Sequence, residues 1–141
     1  HPAAQGERDF RVLLGERSAG NPRISDFRMA KVVDRLGAPN GSVLVDSFTG
    51  FAIVLNSDSP HRFVITADRD FRAALADPGR FGIKYLIVPE PRDLGTIDAI
   101  NRAYPRMYED GAGIARLLVT IPTDRPDNLT LRLYKVGRTD Q

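Results

Sequence analysis

Three short apolar runs rich in β-branched residues stand out between positions 42 and 91. They are Ser-Val-Leu-Val-Asp (42–46), Arg-Phe-Val-Ile-Thr (62–66) and Lys-Tyr-Leu-Ile-Val-Pro (84–89). Segments of helix-plus-turn length separate them, which is the pattern of consecutive βαβ units with strands buried on both faces of a mostly parallel sheet. The connecting and flanking segments show helical periodicity. Met29, Val32, Val33 and Leu36 recur at i, i+3, i+4 and i+7, with Gly37 and Pro39 placed to end the helix. Its start can be capped by Asn21-Pro22 or by Ser25. The very apolar segment 49–56, with Phe51, Ile53, Val54 and Leu55, predicts a buried crossover helix. Asp68 is placed to cap a third helix whose inward face is Phe71, Ala74 and Leu75. Gly95-Thr96 opens a fourth, with Ile97, Ile100 and Tyr104 on one face and Pro105 as its stop.

Beyond residue 113 the pattern changes. Residues 115–121 and 129–136 are both strand-like, and the seven-residue linker 122–128 leaves no room for a helix. They are expected to pair as an antiparallel hairpin. In the second, Leu129, Leu131 and Leu133 alternate with Thr130, Arg132 and Tyr134, the signature of a half-buried edge strand. The predicted fold is therefore α/β: a three-layer, Rossmann-like domain with a mostly parallel sheet and a C-terminal antiparallel hairpin. Residues 1–20 form a lead-in with an apolar cluster at Phe10, Val12, Leu13 and Leu14, and residues 21–141 form one α/β domain.

Composition narrows the picture modestly. The 141 residues are 42% hydrophobic and 27% charged, enough for one sizeable core. The net charge is +2, and basic residues are interleaved with acidic ones along the chain rather than clustered. That distribution argues against a nucleic-acid partner. The absence of cysteine excludes a disulfide scaffold, a thiolate metal site and a cysteine nucleophile. No apolar run approaches the ~20 residues of a spanning helix. The chain begins at His1 rather than Met, so it reads as a piece of a longer protein.

Candidate chemistry lies where parallel sheets carry ligands, at the strand carboxyl ends. Asp46 and Ser47 follow the first run, and Asp68, Arg69 and Asp70 follow the second. Together they are the candidate binding edge for a sugar or nucleotide. Helix capping and an acidic first turn account for the same residues and are the preferred reading. His61 is the one nearby imidazole and belongs to the opposite end of its strand, so no metal site is expected. Gly111-Ala112-Gly113 precedes a strand instead of opening a helix, and no glycine-rich loop follows the first strand. Neither suits a dinucleotide, and no cofactor is expected. There is no G-x-S-x-G elbow, so no catalytic residue is assigned.

Several runs together carry a family likeness. They are Gly-Ser-Val-Leu-Val-Asp-Ser-Phe-Thr-Gly-Phe (41–51), Arg-Phe-Val-Ile-Thr-Ala-Asp-Arg-Asp-Phe (62–71) and Lys-Tyr-Leu-Ile-Val-Pro (84–89). To these add Thr-Ile-Asp-Ala-Ile-Asn-Arg-Ala-Tyr-Pro (96–105), the Tyr-x-x-Gly turn at 108–111 and Leu-Arg-Leu-Tyr-Lys-Val (131–136). Over residues 24–136 the chain resembles the soluble C-terminal domain of bacterial integral-membrane glycosyltransferases. Those enzymes use polyprenyl-phosphate sugars and are related to dolichyl-phosphate-mannose protein mannosyltransferases. The resemblance implies a place on the extracytoplasmic face of the cell membrane, with residues 1–20 juxtamembrane. It implies the transmembrane part of the same polypeptide as partner, with a glycan or polyprenyl-linked acceptor near by. The catalytic carboxylate of that family belongs to the membrane half, so the domain is expected to be accessory, packing over that half and helping position the acceptor. On its own it is expected to be a monomer. A free-standing module binding a sugar or nucleotide at the strand ends is the alternative reading. A small hydrolase or transferase using the same carboxylates is the third.

Overall fold

The computed structural model describes residues 24–125 and 127–137. The lead-in at 1–20 and the Asn21-Pro22 cap lie outside them. The chain runs α1 (Ile24–Leu36), β1 (Val43–Leu44), α2 (Ser47–Asn56), a 3-10 turn (Pro60–Arg62), β2 (Phe63–Val64), α3 (Phe71–Ala76) and β3 (Tyr85–Pro89). It continues with a 3-10 turn (Asp93–Ile97), α4 (Ala99–Ala103), α5 (Met107–Asp110), a 3-10 turn (Gly111–Gly113), β4 (Ala115–Ile121) and β5 (Leu131–Val136).

One mixed five-stranded sheet takes the order β2-β1-β3-β5-β4. β2, β1 and β3 are parallel, whereas β3–β5 and β5–β4 are antiparallel. The strands β1 and β2 are shorter than the apolar runs that predict them. Their pairing nonetheless continues beyond the regular ladder, from Gly41 N–H on the His61 carbonyl to Val45 N–H on the Val64 carbonyl. The C-terminal hairpin forms, but β5 is an interior strand between β3 and β4, and β4 is the edge. Tyr134, expected to face outward from an edge, is 1% exposed because its face of the sheet is covered by α4 and α5. It shares a core cluster with Ile100 and Met107, and its hydroxyl donates to the Tyr108 carbonyl at 2.5 Å. A register irregularity between Leu117 and Val119 disturbs the free edge, a common way of blunting one.

Alternation along β3 divides the core. Tyr85 and Ile87 pack with Met29, Ala30 and Val33 of α1 and Ile53 of α2. Leu86 and Val88 point the other way, packing with Phe71 and Ala74 of α3, Ile100 of α4 and Met107 of α5. Both faces of β3 are therefore covered, as the continuous apolar run requires.

Several helix details depart from the sequence pattern. The buried stripe of α1 is Met29, Ala30 and Val33, while Leu36 is exposed. Gly37 does take the left-handed position after the helix, at φ 64°. The helix start is capped from a distance. Asp124, in the β4–β5 loop, accepts from the Ile24 amide at 2.7 Å and from the Ser25 amide and hydroxyl at 3.0 and 2.7 Å. Burial pushes Asp124 up, but the Ser25 and Ile24 hydrogen bonds outweigh it and hold the carboxyl below its ordinary range. The helix α2 is the expected crossover, yet it is buried on one side only: Thr49, Gly50 and Ile53 are buried, while Phe48, Phe51 and Leu55 are 57, 61 and 64% exposed. The fourth helix begins at Ala99 rather than at Gly95, which leaves Ile97 half in solvent. The expected turn at 109–113 contains the end of α5, whose Met107 is fully buried.

Candidate functional site

The strand order places a topological switch at β1. The chain leaves β1 towards β2 and returns past it to β3, so the crevice beyond the carboxyl ends of β1 and β3 is where a ligand would bind in this architecture. Here the carboxylate at that crevice is engaged from within the fold. Asp46, one residue beyond Val45, has extended backbone angles and is the N-cap of α2. One carboxylate oxygen accepts from the Phe48 amide at 2.8 Å, and the other accepts from the Ala99 amide at 2.7 Å. A single side chain thus satisfies free amides at the starts of two helices, α2 and α4. Ser47 contributes through its backbone, donating to the Thr66 hydroxyl at 3.0 Å and so joining the ends of β1 and β2.

A second carboxylate lies beside the first. Asp98 is fully buried and caps α4, accepting from the Ile100 and Asn101 amides at 2.8 and 3.1 Å. The Thr49 hydroxyl of α2 donates to its other oxygen. Burial pushes the Asp98 carboxyl up to about 6, and the Asp46 charge adds to the rise against the Thr49, Asn101 and Ile100 hydrogen bonds. Asn101, also buried, donates to the Pro89 and Gly95 carbonyls at 2.9 and 3.0 Å, tying α4 to the end of β3. Gly95 is required for this closure because a Cβ there would meet the Glu90 carbonyl oxygen at 1.8 Å.

The third component comes from the hairpin loop. Arg125 reaches Asp26 of α1 at 2.6 Å, the Thr49 carbonyl at 3.2 Å and Asp127 at 3.3 Å. The Arg125 and Asp26 side chains are 6 and 1% exposed, so the pair is a buried ion pair. Glu90 and Arg92 fasten the same loop at the rim, Glu90 accepting from the Thr130 amide at 2.9 Å and Arg92 donating to the Asn128 carbonyl at 2.6 Å. The Thr130 amide, together with Arg92, holds the Glu90 carboxyl below its ordinary value.

The other candidate residues stand apart from this network. Asp68, Arg69 and Asp70 are all exposed. Asp68 does not cap α3; its carboxylate accepts from the Ile65 amide at 2.7 Å and closes the turn after β2. Asp70 occupies the position before α3 but makes no side-chain cap. The structure therefore directs Asp46 inward to helix amides, while the Asp68–Asp70 group faces solvent. His61 is exposed in the 3-10 turn before β2, at the opposite strand end. Among the described residues, no group of three or more His, Asp or Glu could hold a metal ion. A cleft of about 400 Å³ between Tyr104, Arg106, Asp110 and Gly113 lies away from this network, and there Arg106 is paired with Asp110 at 2.6 Å.

Asp98, Thr49, Asn101, Arg125 and Asp26 were not candidates by sequence. A signal existed for Asp98, an N-cap residue directly before Ala-Ile-Asn-Arg-Ala. None existed for Asp26 and Arg125, which lie 99 residues apart. Comparison of the chain with protein-family models, curated proteins and solved structures finds no match.

Proposed function

We propose that this chain is a non-catalytic accessory domain of a bacterial membrane glycosyltransferase-like protein, three-layered and Rossmann-like in build. It lies on the extracytoplasmic face, with the transmembrane part of its own polypeptide as partner, and helps position a glycan or polyprenyl-linked acceptor. The observation that carries the non-catalytic part is the engagement of Asp46: each oxygen already accepts a helix amide at the switch point. A carboxylate so used serves the fold, as does Asp98 beside it. The two core clusters on opposite sides of β3 support the layered description. The glycosyltransferase assignment rests on the resemblance carried by residues 24–136. The alternative, a free-standing sugar or nucleotide module, has only the exposed Asp68–Asp70 group left to work with.

The chain has no cysteine, so once any cysteines elsewhere in the parent protein are replaced by serine, a single introduced thiol reports topology. A Thr96→Cys variant of the parent protein in intact cells should react with a membrane-impermeant maleimide, because Thr96 is exposed. Labelling only after lysis, or a parent gene without membrane-spanning helices, would overturn the assignment.

A further inference from the structure

The helices α1 and α2 lie side by side on one face of the sheet, with Met29, Ala30, Val33 and Ile53 in the same core cluster. Their N-terminal ends are joined by Arg125, which bridges Asp26 to the Thr49 carbonyl. Their C-terminal ends are joined by the Ser57 hydroxyl and the Asp58 amide on Asp34, at 2.7 and 2.9 Å. The pair is therefore parallel, and whatever each helix turns away from the sheet shares one outer surface.

On α2 that outer row is Phe48, Phe51 and Leu55, at i, i+3 and i+7 and each more than half exposed. At roughly 200 Å² per aromatic side chain, the row presents on the order of 300 Å² of apolar surface, the range in which patches serve as contact sites. No residue of α2 carries a charge. On α1 the outer row is Arg28, Lys31 and Arg35, also at i, i+3 and i+7; both arginines are exposed and the Lys31 side chain is 37% exposed. Lys31 lies over the Phe27 ring at 5.2 Å. The acidic residues of α1 are directed elsewhere: Asp26 to Arg125, and Asp34 to Ser57, Asp58, Lys31 and Arg62. Asp58 lies past the end of α2, paired with Arg62, and Asp124, near Arg28, is engaged by the first amides of α1.

We infer that this surface docks on an anionic lipid bilayer, with Phe48, Phe51 and Leu55 entering the headgroup region and Arg28, Lys31 and Arg35 meeting lipid phosphates. An apolar row flanked by a basic row is the arrangement of an interfacial helix face. A second copy of the chain fits less well, because among the described residues no acidic row accompanies the apolar one to answer the basic row. The inference goes beyond the accessory-domain reading and does not depend on it. Cytoplasmic labelling at position 96 would leave it standing.

The test is flotation of the full chain with vesicles of phosphatidylglycerol and phosphatidylcholine in equal parts, against vesicles of phosphatidylcholine alone. The chain contains no tryptophan, so Phe51→Trp supplies a single reporter. Its emission should shift to the blue on the anionic vesicles and be quenched by brominated acyl chains. Arg28→Gln with Arg35→Gln should lower partitioning roughly tenfold or more, and added salt should act in the same direction. Phe48→Ser with Leu55→Ser should abolish the quenching of the position-51 reporter. All these positions are exposed, so circular-dichroism melts should match the parent chain. Equal binding to neutral vesicles with no effect of the arginine changes overturns the inference, as does no binding to either. A dimer in sedimentation equilibrium that Phe48→Ser with Leu55→Ser dissociates, with vesicles left bare, assigns the face to self-association instead.

Discussion

The two halves of the sheet are held together by different means. In the antiparallel half, β4 and β5 extend over seven and six residues, and β5 pairs along its length with β3 and β4. In the parallel half, β1 and β2 are two residues each, and cohesion passes to buried polar side chains at the strand ends. Asp46 joins the starts of α2 and α4, Asp98 joins α4 to Thr49, and Arg125 joins α1, α2 and the hairpin loop. The lesson concerns how strand-end carboxylates are read. At a topological switch they suggest a ligand site, but where the strands are this short they substitute for ladder and bind helices.

That contrast can be broken most forcefully at Arg125. Arg125→Ala leaves Asp26 buried without its guanidinium and should cost about 3–5 kcal/mol in urea unfolding. A loss under 1 kcal/mol would mean that the buried ion pair does not carry the parallel half.

Asp98 gives the next effect, and a sign. Its folded carboxyl is raised from 3.8 to about 6, so between these values the folded state binds the proton more readily than the unfolded chain. Stability should therefore fall as pH rises from about 4 to about 6, by on the order of 3 kcal/mol in total. Asp124 and Asp34, held below their ordinary values, act in the opposite direction, their contribution fading only as the pH drops below about 4. Asp98→Asn should remove the decline above pH 4 and equal or exceed the parent chain at pH 7. Thermal melts across this range check it, and an unchanged pH profile would contradict the buried titration.

The smallest effect is expected in the other half. Leu117 is 43% exposed on the edge strand β4, and Leu117→Thr should alter unfolding free energy by less than about 0.5 kcal/mol. A larger loss would show that the hairpin, too, depends on individual side chains.

Much of this architecture was legible because it depends on local composition. The β-branched runs at 43–45, 63–66 and 85–88 each contain a strand, the helix-free stretch after 113 is a hairpin, and Asp46 is a cap. The contacts that close the switch point were not legible. Asp26 with Arg125, and Ser25 with Asp124, join positions 99 residues apart and leave no periodic trace. The apolar composition of α2 suggests burial all round, but a helix with Phe48, Thr49, Gly50, Phe51, Ile53 and Leu55 can bury only one side against a sheet. The side left over is the surface whose lipid docking is proposed. The interior position of β5 is not legible for a related reason: alternation describes which face a residue takes, not whether a strand has one neighbour or two.

The central claim is that the strand-end carboxylates serve the fold, and Asp46→Ala tests it most directly. Its unfolding free energy should be lower than that of the parent chain by about 1–3 kcal/mol, for the loss of caps on two helices. Binding-site residues behave in the opposite way, since sites kept for a ligand are often strained and their removal tends to stabilise. An Asp46→Ala chain as stable as the parent, or more so, would contradict the account and return the crevice to the list of ligand sites.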